Sequence, residues 1–273
     1  MVDASAIQAF EERGFNAWPT RRSVLSGGWL FRLGDGYTNR ANSVNAYLPN
    51  APFDGVRELA EELFSQNGLA PLFRMTPLAS TEADNALADA GYTVFSPTLL
   101  LTAPIVSKPV RRPELRQNQH LEPFGDSVKS GTDLRDVVLI ARPTPEWIGG
   151  IAGMLGLTER DAAAHEAIVR AIVMPAAFAT MRRAGSAVGY GLAVYERGAV
   201  GLFDLVVAER YRGQGLGRSL IDALMAWGQA IGARQAYLQV AEANVGALRL
   251  YDRLGFGRLY RYHYRLPPNR VAP

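Results

Sequence analysis

The sequence predicts an α/β protein of mixed, mainly antiparallel sheets flanked by helices, arranged as two lobes. Three observations carry this expectation. Apolar residues alternate over short runs closed by turn residues, as where Trp29, Phe31 and Leu33 precede Gly34-Asp35-Gly36, which is the period of a half-buried strand. Elsewhere they recur at helical spacing, as in Leu220, Ile221, Leu224, Met225 and Ile231, and so form one stripe. The same order of hairpin, helix, strand, helix and strand then occurs in each half of the chain.

In the first half a helix is expected near Ala4–Arg13, then a hairpin whose second strand runs through Val44 to Tyr47. Val56, Leu59, Ala60, Leu63 and Phe64 predict a helix and Leu72–Met75 a strand. A short helix ends at Ala90-Gly91, and Tyr92 to Leu101 supplies closing strands. Pro104, Pro109, Pro113 and Pro123, interleaved with Gln117, Asn118 and Gln119, read as a linker, because proline continues neither a helix nor a central strand. The expected division is 1–103, a linker at 104–123, and 124–273. In the second half, strands are expected at Ala176–Met181, Ala187–Tyr195 and Val200–Val207, then a helix from Arg218 to about Ile231. A strand at Ala236–Val240, a helix at Val245–Leu254 and a last strand through Arg258–Leu266 complete it. Leu72–Thr76 overlays Tyr237–Ala241 and Leu87–Tyr92 overlays Tyr251–Phe256, the pattern of a divergent tandem repeat or of two helix–Gly–strand units paired by chance. The tail from Pro267 is expected to fray.

The 273 residues are 48 % hydrophobic and 20 % charged, enough to build a sizeable core. A balance of 29 Lys+Arg against 26 Asp+Glu is too even for a nucleic-acid footprint. The absence of cysteine excludes disulfides, thiolate nucleophiles and acyl-cysteine intermediates. His120, His165 and His263 are isolated, with no metal-ligand spacing. Met1 to Arg13 is polar and acidic, unlike a signal peptide. The longest apolar stretch, around Ala171 to Met181, is too short for a bilayer and holds Pro175. A cytoplasmic protein with no metal, no nucleic-acid partner and no membrane partner is the expectation.

The informative stretch is Val206-Val207-Ala208-Glu209-Arg210-Tyr211-Arg212-Gly213-Gln214-Gly215-Leu216-Gly217-Arg218. A strand ends, three alternating glycines follow, and an amphipathic helix begins. Glycines let the backbone turn sharply and approach a ligand closely. The helix start adds unpaired N–H donors and a positive dipole end, which suit a pyrophosphate. A Walker loop needs Gly-Lys-Ser/Thr, absent here. A dinucleotide fingerprint needs a third glycine where this chain has Arg218 or Leu220. Taken alone, the loop also fits a glycine-rich turn that caps a structural helix.

Two motifs together narrow the choice. Arg212, Gly215 and Gly217 match the Arg/Gln-x-x-Gly-x-Gly/Ala pattern, and Asn244-x-x-Ala247-x-x-x-Tyr251-x-x-x-Gly255-Phe256 follows the strand Leu238-Gln239-Val240. Over roughly 140–266 the chain resembles the GNAT superfamily of N-acetyltransferases, with a fainter likeness in the first hundred residues. The resemblance implies a GNAT-like fold in tandem, with a degenerate first copy and a catalytic second one. It implies acetyl-CoA as cosubstrate and direct transfer to a primary amine, on a small molecule or a peptide, in a ternary complex. A non-catalytic acyl-CoA-binding or sensor protein is the alternative.

The resemblance also assigns roles. Leu205, Val206 and Val207 would lie on a splayed strand beside the thioester, where main-chain N–H groups steady the developing oxyanion. Arg212, Gly213, Gln214, Gly215, Leu216, Gly217 and Arg218 would cradle the pyrophosphate. Tyr251 would protonate the departing thiolate, since a phenol of pKa near ~10 is protonated at neutral pH. It also fits a packing role against Phe256 after Gly255. Asn244 fits both a helix N-cap and a place beside the CoA arm. Asp204 is the nearest carboxylate for a general base, with Glu242, Glu146 or water as alternatives, and a structural aspartate is the other reading. Tyr260, Tyr262 and Tyr264 alternate with Arg261, His263 and Arg265, either as a core face or as a substrate wall. Trp147 belongs to an acceptor loop or anchors one. Arg40, Asn42 and Ser43 fit turn chemistry or a ligand. One acyl-CoA per chain is expected, because the first half offers Pro49, Pro52 and Asp54 where the second has its glycine loop, and Leu87 where the second has Tyr251.

Overall fold

Asp3 accepts a hydrogen bond from the Ser5 N–H and so opens the first helix, α1 (Ala4–Ala17). The computed structural model describes residues 3–105 and 136–268. Of the expected linker at 104–123, residues 106–123 lie outside the described residues, as do His120 and the tail beyond Pro268. Two compact units divide the chain. The first holds Met1–Leu101, Gln239–Arg249 and Arg258–Pro273, and the second Thr102–Leu238 with Leu250–Gly257. Residues from the end of the chain thus fold with its beginning.

In the first unit, β1 (Arg22–Ser26) and β2 (Trp29–Leu33) form a hairpin in the register Ser26↔Trp29. β2 runs antiparallel to β3 (Val44–Ala46), and β3 runs parallel to β4 (Phe73–Met75) through Val44↔Phe73. The last strand, β11 (Gly257–Leu266), is antiparallel to β4, and β5 (Thr93–Pro104) lies beyond it. Helices α2 (Val56–Gln66) and α3 (Thr81–Asp89) fill the connections. The aromatic sequence Trp29–Phe53–Phe73–Tyr92 meets edge to face at 5.3, 5.9 and 5.5 Å, a preferred geometry for ring quadrupoles.

In the second unit, β6 (Val137–Ile140), β7 (Ala176–Arg183), β8 (Ser186–Glu196) and β9 (Ala199–Val207) are successively antiparallel. β10 (Gln235–Ala241) returns parallel to β9. Helices α4 (Pro145–Leu155) and α5 (Glu159–Arg170) precede β7, and each is capped by a threonine, Thr144 and Thr158. α6 (Leu216–Ala230) joins β9 to β10, and α7 (Val245–Arg253) follows β10. No helix among the described residues is long and apolar enough to cross a membrane.

The expected repeat is visible at the backbone. Each unit has an antiparallel hairpin, then a helix, then a parallel return strand. α2 begins after Gly55 (φ 69, ψ −5) and α6 after Gly215 (φ 82, ψ −5), and neither start has a side-chain cap. α3 ends at Gly91 and α7 at Gly255, both with φ 82. Tyr92 N–H reaches Leu87 O at 2.9 Å, and Phe256 N–H reaches Tyr251 O at 3.0 Å. This is the same Schellman closure twice, and its left-handed residue favours glycine. β1, β6, α4 and α5 are additions to the elements expected from sequence.

The first unit buries a charged cluster. Arg74 donates through both terminal nitrogens to Glu11, at 3.0 Å for the Nη2–Oε1 contact, and each residue is 3 % exposed. The Tyr260 hydroxyl donates to the same carboxylate, and the Arg74 guanidinium lies 3.8 Å from the centre of the Tyr262 ring. Removing one member strands the other in a medium that cannot solvate it. Arg74→Met should therefore cost about 3–5 kcal/mol, and replacing Glu11 and Arg74 together by Gln and Met should cost less. Urea denaturation of the three proteins checks this order.

Candidate active site

β9 changes character along its length. Its parallel register with β10 runs from Ala199↔Gln235 to Leu202↔Leu238, while β9 itself continues to Val207. Ala199–Phe203 are buried, and Asp204, Leu205, Val206 and Val207 are half-buried. On the other edge the pairing with β8 shifts between Leu192↔Phe203 and Tyr190↔Val206. β9 therefore carries one extra residue there, a bulge that re-aims side chains. Asp204 takes a left-handed backbone at φ 52, which aspartate tolerates better than most residues.

The bulge turns Asp204 toward α5. Its Oδ2 lies 2.8 Å from Nε2 of His165, whose side chain is fully buried, and the Asp204 side chain is 9 % exposed. His165 stacks on Trp147 at 6.2 Å with an interplanar angle of 19°. Trp147 is a core residue of α4: it donates to Ala179 O at 3.0 Å and meets Phe178 and Tyr190 edge-on. Of its two expected roles, anchoring is the one its burial fits.

After β9, Ala208 N–H still bonds Val188 O at 2.9 Å, and a single 3-10 turn covers Glu209–Tyr211. Arg212, Gly213, Gln214 and Gly215 are exposed, and Leu216 is buried under the first turn of α6. Gly213 and Gly215 have φ 75 and 82, and a Cβ on either would meet nothing within 4 Å. The loop is braced from within: Arg212 Nε donates to Val207 O at 3.2 Å and Gln214 Nε2 to Arg210 O at 3.3 Å. Arg218 pairs with Asp222 at 3.4 Å. No side chain among the described residues caps α6, so the N–H groups of its first turn are free to meet an anion. A cavity of about 950 Å³ in the same unit, lined by Tyr195, Trp227 and Ile231 among others, includes none of these residues.

Tyr251 lies on the last turn of α7, which counts with the second unit from Leu250 onward. A Cβ on Gly217 would stand 3.3 Å from Leu250 Cδ2, so this turn reaches the glycine loop. The Tyr251 ring meets Phe256 at 5.8 Å, and burial alone pushes its hydroxyl up to about 12. That hydroxyl bonds no described residue, and its oxygen is not sealed from solvent. Packing and an available proton thus coexist in one side chain.

The other expected residues fall in different settings. Asn244, in the first unit, caps α7 by accepting from Ala247 N–H at 3.1 Å. Glu242 is held by Arg261 at 2.7 Å, which keeps its carboxyl below the usual range, and Glu146 is paired with Arg182 at 2.8 Å. Tyr260, Tyr262 and Tyr264 are buried, whereas Arg265 and His263 bond Asp84 at 2.8 and 3.0 Å. The aromatic face is therefore core. Asn42 serves its turn, accepting from Gly36 N–H at 3.0 Å and donating to Thr38 O at 2.7 Å. His165 is the residue that sequence reasoning set aside. It stands 39 positions from its partner, and no local pattern links the two.

Residues 4–265 match the family model described as "Probable histone acetyltransferase Rv0428c C-terminal". The chain is 28 % identical over 266 residues to "Uncharacterized N-acetyltransferase YobR" of Bacillus subtilis (strain 168), covering 95 % of this chain and 98 % of that protein. Its fold resembles a GCN5-related N-acetyltransferase from Kribbella flavida, with a TM-score of 0.66 at 20 % identity over 99 % of this chain and 97 % of that one. It also resembles a tandem GNAT protein from the clavulanic acid biosynthesis pathway, with a TM-score of 0.58 at 16 % identity over 96 % and 88 %. The chain belongs to the Rv0428c C-terminal acetyltransferase family, and its duplicated strand and helix order is that of a tandem GNAT fold.

Proposed function

We propose that the chain is an acetyl-CoA-dependent N-acetyltransferase that moves an acetyl group to a primary amine of a small molecule or peptide, by direct attack in a ternary complex. The observation that carries this reading is the exposed loop Arg212–Gly215 running into an uncapped helix start. Its two left-handed glycines leave open space where any side chain would project, and a helix N-terminus favours phosphate. Membership of an acetyltransferase family and the relative named as an N-acetyltransferase support the choice of acyl group and amine.

An acyl-CoA held at this loop supplies a thioester, an acyl group already activated for transfer. Main-chain N–H groups of Leu205–Val207 would orient the carbonyl and stabilise charge developing on its oxygen. Asp204 would take the proton that an acceptor ammonium must lose before its nitrogen can attack. The new C–N bond would form as the C–S bond breaks, and Tyr251 would donate its hydroxyl proton to the leaving sulfur. The second proton lost by the attacking nitrogen would pass through water to restore the Tyr251 hydroxyl. Asn244 is assigned to the CoA arm by the motif, beside its capping role. Residues 1–103 offer Leu87 in the place of Tyr251 and are assigned a structural or acceptor-shaping role.

Gly215→Glu should abolish CoA binding in a calorimetric titration. Gly215→Ala, which imposes the same backbone strain without the carboxylate, should weaken it far less. Unchanged affinity in Gly215→Glu removes the cofactor assignment. The full chain should bind one CoA in the same titration, because Pro49 and Pro52 remove N–H donors and Asp54 adds a negative charge before Gly55. Two sites per chain would overturn that division.

Tyr251→Phe should lower kcat by roughly 10²-fold with little change in the KM for acetyl-CoA. Burial places the Tyr251 hydroxyl at about 12. The donor therefore stays protonated through the working range, and its ionisation should add no alkaline limb to the rate below that pH. Thiol release within a few-fold of wild type would leave Tyr251 as a packing residue. CoA binding without thiol release from any amine would favour the sensor alternative, for which the Tyr251–Phe256 packing speaks.

A further inference from the structure

We propose that His165 is a positioning residue of this enzyme, fixing one oxygen of Asp204 so that the other faces the acceptor amine. The inference rests on the reading of Asp204 as the base and adds the group that makes it competent. Three features of the second unit carry it.

The first is the division of labour between the two oxygens of Asp204. Oδ2 is 2.8 Å from His165 Nε2, a normal distance for a charge-assisted hydrogen bond in which the ring N–H donates and the carboxylate accepts. Oδ1 bonds no described residue, and it is not sealed from solvent. One oxygen is therefore committed and the other available. A carboxylate free to rotate would offer its oxygens in no fixed direction, and a proton acceptor works only within hydrogen-bond reach of its donor.

The second is that the imidazole is itself held. Its side chain is fully buried, it stacks on Trp147, and Trp147 is tied to the backbone of β7 through Ala179 O at 3.0 Å. Orientation thus passes from the sheet to the indole, from the indole to the imidazole, and from the imidazole to the carboxylate. The arrangement has the form of a base oriented by a third group.

The third is the cost of placing Asp204 there. Its left-handed backbone and the bulge in β9 are departures from a regular ladder, of the kind that re-aims a side chain. A plain tether between α5 and β9 needs neither. The geometry serves a carboxylate that must reach a helix with one oxygen while leaving the other unbonded.

The test uses the full chain, with acetyl-CoA and an amine that the wild type turns over. His165→Leu removes the donor, His165→Gln returns an N–H near the position of Nε2, and Asp204→Asn keeps the backbone preference while removing the base. Asp204→Asn should lose about 10²-fold in kcat. His165→Leu should lose about tenfold or more in kcat, with the KM values of both substrates within about threefold of wild type, and His165→Gln should recover most of that loss. In the Asp204→Asn background, neither His165 change should lower kcat further, because nothing remains to be positioned. The inference is overturned if His165→Leu, shown to be folded by its melting curve, keeps kcat within about threefold of wild type. It is equally overturned if the losses multiply in the double variants. Should His165→Leu fail to fold, the cycle of His165→Gln with Asp204→Asn decides by the same criterion. A near-normal Asp204→Asn removes the base itself and both readings with it, whereas a dead Asp204→Asn beside a normal His165→Gln and His165→Leu removes only the role of His165.

Discussion

The parallel pairing of β9 with β10 stops at Leu202↔Leu238, and β9 continues for five residues beyond it. Backbone N–H groups in a sheet need partners, and unpaired ones are costly when buried. β9 meets this in two ways. Its pairing with β8 persists past the strand end, where Ala208 N–H bonds Val188 O. Its exposure rises from Asp204 onward, so the unpaired edge can face water or a ligand. The same backbone then turns through Gly213 and Gly215 into α6, whose first N–H groups are also uncapped. Between the strand end and α6, Ala208, Tyr211 and Arg212 have bonded N–H groups, whereas the start of α6 has no side-chain cap.

Duplication separates what the backbone needs from what varies in side chains. Both units keep the left-handed glycine ahead of a helix, Gly55 and Gly215, and both keep the Schellman glycine, Gly91 and Gly255. These positions are dictated by backbone geometry, where a side chain would be strained. What differs is side-chain chemistry. Leu87 occupies the place of Tyr251, and Tyr92, in the place of Phe256, donates its hydroxyl to Glu61 at 3.0 Å. In the first unit the space beneath α1 is filled by the Glu11–Arg74–Tyr260 cluster. A buried ion pair of this kind adds little net stability but tolerates no vacancy. It commits that unit to a filled interior.

Much of this was legible from residue patterns. Alternation found β2, β7, β8, β9, β10 and β11 to within a few residues, and helical stripes found α2, α6 and α7. The misses have physical causes. β1 is exposed along its whole length, so no alternation marks it. α4 carries Gly149, Gly150 and Gly153 and is apolar on most sides, which blurs any stripe. Gly150 is small because the Tyr190 hydroxyl occupies the space a Cβ would take, a tertiary reason invisible in the local sequence. The glycine loop and the Tyr251 helix were legible because each motif is contiguous. The His165–Asp204 pair was not, because a bulge in one strand and a buried helix face create it together.

Tyr251 shows why packing and chemistry need not compete as explanations. A Schellman closure is commonly accompanied by an apolar contact such as that between Phe256 and Tyr251, and an aromatic ring supplies it. That contact buries the ring, and burial disfavours the phenolate. In the proposed role of proton donor, Tyr251 would gain from the same environment that makes its ring a good cap. The hydroxyl alone distinguishes tyrosine from phenylalanine here, and it contributes no hydrogen bond to any described residue. If packing were the whole of its role, phenylalanine would serve equally and would avoid desolvating a polar group. The cap does not require a hydroxyl, and the hydroxyl is the group on which the proposed proton donation draws.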